Sequence, residues 1–271
     1  MKEIKLQDIL RIENLNDYKV HCAMKNELGT QPLDVFARNR EEWHGWNSYK
    51  GKKDEFNRQY IFSLMNFYHE QNIWLFGGIY EVIGIENDSY KIKLTDDAAE
   101  YVGRLKIRFE LTGRNARRLL EGCYSDFIVT EVLKESYSGQ SFSGYESIDL
   151  SFEQLEIIIK NERPDWRGAL QNIKGVYLIT DKLLGKRYVG SAYGEVGIWA
   201  RWQCYIDNGH GHNAELKELI KEKKMDYAKQ NFKFTLLEYR PMKVQDQVII
   251  DRETFWKEAL LSRGDWGYNK N

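Results

Sequence analysis

The stretch GVYLITDKLLGKRYVGS, residues 175–191, decides the fold of the C-terminal part of the chain. Two runs rich in β-branched and aromatic residues flank the short segment DKLLG, and this pattern predicts an antiparallel hairpin. Side chains alternate across a strand, so Tyr177 shares a face with Gly175. On the second strand, Tyr188 shares a face with Gly190. Both phenols can therefore lie on one surface beside glycines, although such aromatic pairs also arise from ordinary sheet packing.

The residues around this hairpin predict a compact α+β unit. SFEQLEIIIKNE, residues 151–162, has the pattern of an amphipathic helix with Ser151 as its N-cap, and Pro164 ends it. After the hairpin the sequence predicts two helices, a strand and a final helix. We therefore assign residues 148–271 to a C-terminal domain of the α+β class, a small antiparallel sheet flanked by helices.

Residues 1–147 predict a second α+β domain with a β-barrel-like core. The chain to about Asn66 is polar and predicts mostly helix. Four later stretches have the composition or alternation of strands, and RNARRLLEG (114–122) predicts a short helix. The strand stretches are IWLFGGIYEVIGI (73–85), followed by a turn at Asn87-Asp88, then YKIKL (90–94), RLKIRFEL (104–111) and DFIVTEVL (126–133). The serine- and glycine-containing run at 136–147 is the predicted boundary.

The composition of the 271 residues restricts the class of protein. With 42% hydrophobic and 30% charged residues, the chain can bury a core and remain soluble. No apolar stretch approaches the ~20 residues that span a bilayer, and the N-terminus lacks an apolar signal-peptide core, so we expect a cytoplasmic protein without a membrane partner. Three distant cysteines without a CxxC pair and five scattered histidines argue against a disulfide framework and a zinc signature.

The formal net charge of −1 provides no strong attraction for polyanions. Residues 171–271 nevertheless hold 17 lysines and arginines against 13 acidic residues. Contacts with a nucleic acid would therefore come from local basic patches.

Taken together, GVY (175–177) and YVG (188–190) resemble the paired signature of the GIY-YIG nuclease superfamily, with valine for isoleucine in both halves. The family's other elements follow in the same order: an arginine in the next helix (Arg201), a glutamate in a later helix (Glu253) and an asparagine in the closing GYNKN (Asn269). The resemblance covers roughly residues 165–271. It implies an enzyme that hydrolyses phosphodiester bonds.

Phosphodiester hydrolysis needs an activated water and a cation over the charge that develops on the phosphoryl oxygens. The resemblance implies that Tyr177 is the general base, with Tyr188 either orienting the water or taking the base role itself. A phenol with a pKa of ~10 needs nearby cations to lose its proton near neutral pH, and Lys186, Arg201 and a bound metal ion are available for this. Arg201 can also donate two hydrogen bonds to a phosphate.

The resemblance also implies that Glu253 holds a metal ion, Mg²⁺ or Mn²⁺, in a shell completed by water and substrate phosphate. An ion pair with Lys257, four residues later, is the structural alternative for Glu253, and Glu258 is a weaker candidate for the metal. Asn269 either ties the glutamate helix to the phosphate pocket or has a purely structural role at the C-terminus.

The segment NGHGHN (208–213) lies between the arginine helix and the next predicted helix. Many members of the family carry a histidine here that contacts the proton-transfer site, so His210 and His212 are both candidates. The sequence does not choose between them. Loop histidines are also common as surface residues, and Asn213 is a candidate N-cap of the following helix.

The N-terminal domain is predicted to recognise DNA. RLKIRFELTGRNARR (104–118) holds six basic residues in 15 positions, which suits a phosphate backbone, whereas a solvated barrel face balanced by acids is the alternative. The six are Arg104, Lys106, Arg108, Arg114, Arg117 and Arg118.

The strands of this domain faintly resemble PUA-like folds, which bind bases, including modified ones. That resemblance implies an aromatic stacking surface, with core packing as the alternative role for most tryptophans. The candidate aromatic residues are Trp43, Trp46, Trp74 and Tyr80.

The expected function is that of a two-domain, Mg²⁺-dependent endonuclease acting on DNA. Restriction of foreign DNA is the first choice of role, with the N-terminal domain setting specificity, including for modified bases. A single site cuts one strand, so double-strand cleavage needs a homodimer on DNA or two successive events. The alternatives are a repair or mobile-element nuclease, an RNA-directed nuclease, and a non-catalytic DNA-binding module on a nuclease scaffold.

Overall fold

The computed structural model describes residues 3–51, 53–113 and 115–270. The chain divides into two compact units, Met1–Tyr137 and Ser138–Asn271. The division falls inside the serine- and glycine-containing run at 136–147. Most of that run belongs to the second unit, where the ring of Tyr145 stacks on Tyr239 at a centroid distance of 4.2 Å.

The first unit is built on one eight-stranded sheet. Its strands follow the order β1-β8-β6-β4-β3-β2-β7, with β5 paired to β4 outside this path. The pairing of β2 with β3 is parallel and the other pairings are antiparallel. The strands are β1 (Ile4–Lys5), β2 (Tyr18–Ala23), β3 (Tyr60–Asn66), β4 (Ile73–Glu86), β5 (Ser89–Leu94), β6 (Leu105–Arg108), β7 (Arg117–Leu119) and β8 (Ile128–Val132).

Two helices complete the first unit, α1 (Pro32–Arg38) and α2 (Arg40–Ser48). Pro32 stands at the start of α1, where its missing N–H is not needed, and Asn39 caps α2 by accepting hydrogen bonds from the first-turn amides. Asn87 and Asp88 both have positive φ, as the tight turn between β4 and β5 requires. The predicted turn at these two residues is confirmed.

Three expectations for the first unit are wrong. The eight-stranded sheet is larger than the small barrel expected, and no hydrogen-bonded pairing between its end strands is found in the part of the chain that the structure describes. The chain before residue 66 contains the buried strands β2 and β3, whose short apolar runs do not distinguish strand from helix. The predicted helix at 114–122 is instead β7, which pairs with β2, followed by a 3₁₀ turn.

The second unit contains a four-stranded antiparallel sheet in the order β11-β10-β12-β9. Its strands are β9 (Asp149–Ser151), β10 (Ile173–Asp181), β11 (Arg187–Ala192) and β12 (Phe232–Pro241). The hairpin β10–β11 is the one predicted from residues 175–191, and β11 is the edge strand. Both units therefore belong to the α+β class.

The described part of the second unit also contains six α-helices. They are α3 (Phe152–Lys160), α4 (Pro164–Leu170), α5 (Ile198–Asn208), α6 (Ala214–Lys223), α7 (Met225–Asn231) and α8 (Asp246–Ala259). Ser151 caps α3 as predicted, in a reciprocal hydrogen-bonded pair with Gln154. None of the helices described in either unit combines the length and apolar character needed to cross a membrane.

The two faces of the second sheet are covered by different helices. Tyr177, on one face, packs in a core cluster with Trp202 and Tyr205 of α5. Val176 and Val189 point to the other face, where Ile249 of α8 packs on them. This division places the tyrosine and glutamate candidates on opposite sides of the same hairpin.

Candidate active site

The two glycines of the hairpin motif are required by close contacts. Tyr177 lies directly opposite Gly190 in the β10–β11 register. A Cβ atom at Gly190 would stand 2.5 Å from the Tyr177 hydroxyl and 2.6 Å from its Cζ. A Cβ atom at Gly175 would stand 2.3 Å from the carbonyl oxygen of Glu238 on β12. The spacing GVY…YVG therefore seats the buried phenol across the edge strand.

Replacing Gly190 by alanine should lower the free energy of unfolding by about 1–3 kcal/mol, because the added methyl group must displace the packed Tyr177 ring. Urea denaturation followed by tryptophan fluorescence measures this. Gly168→Ala on α4 is the matched control, since a Cβ atom there meets no atom within 4 Å. That control should be neutral or slightly stabilising. A Gly190 variant as stable as the Gly168 variant would contradict the steric account.

Tyr177, Tyr205 and Arg201 form one hydrogen-bonded group on the inner face of the hairpin. The Tyr177 and Tyr205 hydroxyls are 3.0 Å apart, and Arg201 donates from Nε to the Tyr177 hydroxyl at 2.9 Å. Arg201 Nη2 lies 3.4 Å from the Tyr205 hydroxyl. Both phenols are fully buried and Arg201 is half-buried. Arg201 and Tyr205 meet because they are four residues apart on α5.

The electrostatic character of this group is that of a cation among neutral phenols. Burial raises the pKa of Tyr177, Tyr188 raises it further, and Arg201 offsets only part of the effect. Burial likewise raises the pKa of Tyr205 well above its usual value. No carboxylate among the described residues forms an ion pair with Arg201. A half-buried guanidinium without an acidic partner suits an anionic ligand such as phosphate.

Tyr188 lies on the same face but outside the hydrogen-bonded group. It is 7% exposed, its ring centroid is 6.4 Å from that of Tyr205, and its hydroxyl has no hydrogen-bond partner in the described ranges. Lys186 turns toward the C-terminus, where its Nζ lies 5.5 Å from the ring centroid of Tyr268. Of the two, Tyr188 is the side chain that borders the Tyr177 group.

The histidine loop packs directly on Tyr205. Gly211 has φ +50°, and a Cβ atom there would stand 2.3 Å from Cζ of Tyr205, so the loop backbone covers the ring. Asn208 holds the loop by accepting hydrogen bonds from the amides of His210 and Gly211 at 2.9 and 2.7 Å. His210 Nδ1 accepts from the His212 amide at 3.0 Å. Burial, followed by the charges of His212 and a nearby lysine, lowers the pKa of His210, whereas His212 is exposed.

Glu253 lies on the other side of the edge strand. Its carboxylate accepts a hydrogen bond from the Ser191 hydroxyl and forms an ion pair with Lys257 Nζ at 2.8 Å. Its side chain is 16% exposed, whereas that of Glu258 is 68% exposed. Gly190 and Ser191 are consecutive residues of β11. Gly190 contacts Tyr177 on one face of the hairpin, and Ser191 contacts Glu253 on the other.

The oxygen donors at Glu253 are compatible with a hard divalent cation. A carboxylate and a serine hydroxyl are ligands that Mg²⁺ accepts, and Mg²⁺ commonly keeps several waters. Among the described residues there is no cluster of three or more His, Cys, Asp or Glu side chains suited to a metal. A cation here would therefore be held by Glu253 with Ser191 nearby, and Lys257 would have to leave the carboxylate.

Asn269 stabilises the edge strand. Its side-chain amide accepts a hydrogen bond from the Val189 N–H at 2.9 Å and donates one to the Val189 carbonyl at 2.8 Å. Its backbone N–H donates to the Ser262 carbonyl at 3.0 Å, just beyond α8. Asn269 thus links the chain after α8 to the edge strand β11.

Asn213 caps α6, as predicted, by accepting a hydrogen bond from the Leu216 N–H.

Asp181 supports the base of the hairpin and was not singled out from the sequence. It is fully buried and accepts hydrogen bonds from the hydroxyls of Tyr227 and Tyr268, at 2.8 and 2.6 Å. It also accepts from the amides of Leu183 and Leu184, at 3.0 and 3.1 Å. Four donors on one carboxylate satisfy its buried charge.

Tyr205, Ser191 and Asp181 are the site residues that sequence reasoning missed. Tyr205 had an available signal, because it is four residues after Arg201 on a predicted helix. Ser191 had none, since its partner Glu253 is distant in sequence. Asp181 had a local signal, because an aspartate at the start of a turn can accept from amides two and three residues later, as it does here, but its tyrosine partners are distant.

Two residues of the basic stretch in the first unit have close acidic partners. Lys106 is buried between Glu70 and Glu131, with ion-pair distances of 2.6 and 2.8 Å, and Arg108 pairs with Glu3. Arg104 and Arg118 donate to backbone carbonyl oxygens, Arg117 lies 3.9 Å from Glu55, and Arg114 is outside the described residues. The acids expected under the alternative interpretation of this stretch are therefore present.

Three of the four candidate stacking aromatics belong to the core. Trp43, Trp74 and Tyr80 are 2–4% exposed, and the indole N–H groups of both tryptophans donate to backbone carbonyls. Trp46 is half-buried and lines a cavity. Core packing, the alternative stated for most of these residues, therefore holds for three of them, and Trp46 is the candidate left for a stacking surface.

Two solved structures are similar to part of this chain. A variant of the catalytic domain of intron endonuclease I-TevI is 27% identical, and the match covers 36% of this chain and 94% of that domain, with a TM-score of 0.29. The catalytic domain of homing endonuclease I-TevI is 28% identical, with 36% of this chain and 98% of that domain covered and a TM-score of 0.29. No protein-family model and no curated protein matches the chain.

Proposed function

We propose that this chain is a metal-dependent endonuclease that hydrolyses phosphodiester bonds in DNA. The observation that carries the proposal is Arg201, a half-buried guanidinium. It has no acidic partner in the part of the chain that the structure describes, and it is bonded to two buried phenols beside the strand that also contacts Glu253. The GIY-YIG-like order of motifs supports the same reaction class. Arg201 has no anionic partner among the described residues, and a phosphodiester fits that charge.

Arg201 binds the substrate phosphate. Its Nε is engaged with Tyr177, and the terminal nitrogens can donate to non-bridging oxygens, which carry more negative charge in the transition state than in the ground state. The phosphate also supplies the anionic partner that Arg201 does not have among the described residues of the free protein.

Tyr177 is the general base in this proposal, and Tyr188 is its competitor. Burial raises the pKa of Tyr177 and so opposes the loss of its proton, whereas the positive charge of Arg201 favours the phenolate. Tyr205, 3.0 Å away, orients the Tyr177 hydroxyl. Tyr188 has a free hydroxyl in the described part of the chain and orients the attacking water.

Glu253 holds the divalent cation, with Ser191 as a neighbouring oxygen donor. The cation, when bound, supplies positive charge for the phosphate and the leaving oxygen. Lys257 neutralises Glu253 in its absence, which limits the cost of a poorly hydrated carboxylate.

The pH dependence should reveal a phenolic base. The base acts in its deprotonated form, and burial raises the pKa of Tyr177 above its usual value near ~10, so the cleavage rate should rise about tenfold per pH unit between pH 6.5 and 9. Single-turnover rates at saturating metal measure this. His210 has a lowered pKa and would already be deprotonated, so a rate that is constant above pH 7 would indicate that histidine instead.

The two tyrosines are separated by single substitutions. Tyr177→Phe should abolish the pH-dependent rise, whereas Tyr188→Phe should lower the rate and keep its slope. The reverse pattern would transfer the base role to Tyr188.

The biological role that we propose is restriction, with the first unit setting specificity and a homodimer cutting both strands. Repair or mobile-element cleavage would use the same chemistry.

Cleavage of supercoiled plasmid with and without metal tests the nuclease directly. Mg²⁺ or Mn²⁺ should produce nicked or linear DNA, and excess EDTA should lower the rate by at least ~10³-fold, because it removes the cation that supplies positive charge to the phosphate and the leaving oxygen. Restoring excess Mg²⁺ is the control and should restore cleavage. Cleavage that continues in EDTA would contradict metal dependence, and intact DNA under all metal conditions would contradict the nuclease.

A further inference from the structure

The first unit contains a cavity of about 730 Å³. Residues of β2, α1, α2 and β7 line it, together with the loop after β2. Its volume falls within the range of roughly 300–1,000 Å³ that is typical of sites for small organic ligands. The catalytic candidates belong to the other unit.

His21, one of the residues that line the cavity, is held in a fixed tautomer. His21 is 3% exposed, and its Nδ1 lies 2.9 Å from Oδ1 of Asn47. The Asn47 orientation follows from its partners, because Nδ2 donates to the Trp43 carbonyl at 3.0 Å and Oδ1 accepts from the Ser63 hydroxyl. His21 Nδ1 must therefore donate. Burial lowers the pKa of His21 to about 4, against the effect of the Asn47 bond, so the ring is neutral and Nε2 is an acceptor.

Arg117 supplies donors beside this acceptor. It pairs with His21 in the β2–β7 register, and its side chain lines the same cavity. Arg117 Nε is buried and has no hydrogen-bond partner within the described ranges, and its ion pair with Glu55 spans 3.9 Å. A buried donor without a partner is costly, so a ligand that accepts from it would be stabilised.

Flat aromatic side chains and a basic rim complete the cavity. Trp46 is half-buried and Tyr49 is 64% exposed, so both rings are accessible to a planar ligand. Lys25 and Arg38 also line the cavity, and Glu42 is its acidic residue, paired with Arg38. The lining is therefore net positive when Arg117 is included.

We infer that this cavity binds the base of a nucleotide, with the ring stacked on Trp46, its polar edge on His21 and Arg117, and its phosphate near Lys25. A nucleobase combines a flat π-face with neighbouring donors and acceptors, which matches this lining. The base comes either from a free nucleotide or from a DNA strand, and the second source rests on the proposed nuclease function.

Calorimetric titration of the full-length chain, in EDTA so that no DNA is cut, tests the site. The probes are the four deoxynucleoside 5′-monophosphates, with deoxyribose 5-phosphate as the control that lacks a base. At least one nucleotide should bind ten times more tightly than the sugar phosphate. Trp46→Ala and Arg117→Gln should weaken that binding by about tenfold or more, and Trp266→Ala, at an exposed tryptophan of the other unit, should leave it unchanged.

A second set of measurements determines the source of the base. A single-stranded oligonucleotide that displaces the bound nucleotide indicates a base on a strand, and one that fails to displace it indicates a free nucleotide. Thermal unfolding checks each variant, and Tyr49→Ala, at an exposed position, replaces Trp46→Ala if the latter does not fold.

The proposal is overturned if no nucleotide binds more tightly than the sugar phosphate, or if folded cavity variants bind as the wild type does. Plasmid cleavage in Mg²⁺ separates this outcome from failure of the nuclease. Cleavage without nucleotide binding would reject the cavity alone, and nucleotide binding without cleavage would reject the nuclease alone.

Discussion

Replacing Glu253 by alanine should lower the rate of DNA cleavage by about 10³-fold or more. This carboxylate is mostly buried and contacts the edge strand of the hairpin through Ser191, and it is the proposed anchor for the cation. Without Glu253, the neutral Ser191 hydroxyl is the remaining oxygen donor, so the cation is no longer held and its positive charge near the phosphate is lost. Nicking of supercoiled plasmid over several hours measures the residual rate, and isothermal titration with Mn²⁺ measures the loss of metal binding.

Glu258→Ala is the matched control for this substitution. It removes the same functional group from the same helical segment, but its side chain is 68% exposed and lies 3.9 Å from Arg263. Cleavage and metal binding should be unchanged. Lys257 loses its partner in the Glu253 variant, so thermal unfolding must first show that α8 is intact. Equal cleavage by the two folded variants would remove Glu253 from the site.

Arg201→Lys should lower the cleavage rate by about 10²–10³-fold, although the positive charge is retained. A lysine ammonium cannot donate to Tyr177 and also present a planar pair of donors to a phosphate. The variant should therefore lose both the orientation of Tyr177 and the fork on the non-bridging oxygens. Single-turnover cleavage at saturating protein isolates this effect from DNA binding by the remainder of the chain.

Arg167→Lys on α4 is the comparison for Arg201→Lys. Arg167 is 47% exposed and pairs with Glu162 at 3.3 Å, outside the tyrosine group. Its replacement should alter the rate by less than about twofold, as is usual at exposed pairs. An Arg201 variant with wild-type activity would show that charge alone is sufficient and would reject the donor geometry proposed here.

Local sequence signals predicted the hairpin and the helices α3, α5, α6 and α8, but not the short helix α7 that precedes β12. The alternation within residues 175–191 reflects strand geometry, and the glycines at 175 and 190 lie on the same faces as the tyrosines. Both features can be read from the sequence without knowledge of the tertiary structure. Ser151 as a helix cap and Asn87-Asp88 as a turn are equally local, since each depends on residues within four positions.

Pairings between distant segments were not predictable in the same way. The short apolar runs of β2 and β3 are compatible with either helix or strand when read alone. Only their parallel pairing with each other shows that they are strands. Residues 117–119 form a strand because β2 offers them an edge, and Lys106 is buried because two glutamates from other segments meet it. Local propensity carries no information about such partners.

The sequence alone determined which residue types this protein devotes to its candidate site: two strand tyrosines beside glycines, a helix arginine, a later helix glutamate and a closing asparagine. Only the tertiary structure decided how they are divided, with Tyr177, Tyr205 and Arg201 bonded on one face of the hairpin and Glu253 held by Ser191 on the other. The physical reason is that alternation along a strand is a local property of the backbone. By contrast, the helix that covers each face, and hence the neighbours of each side chain, depends on packing between segments far apart in the chain.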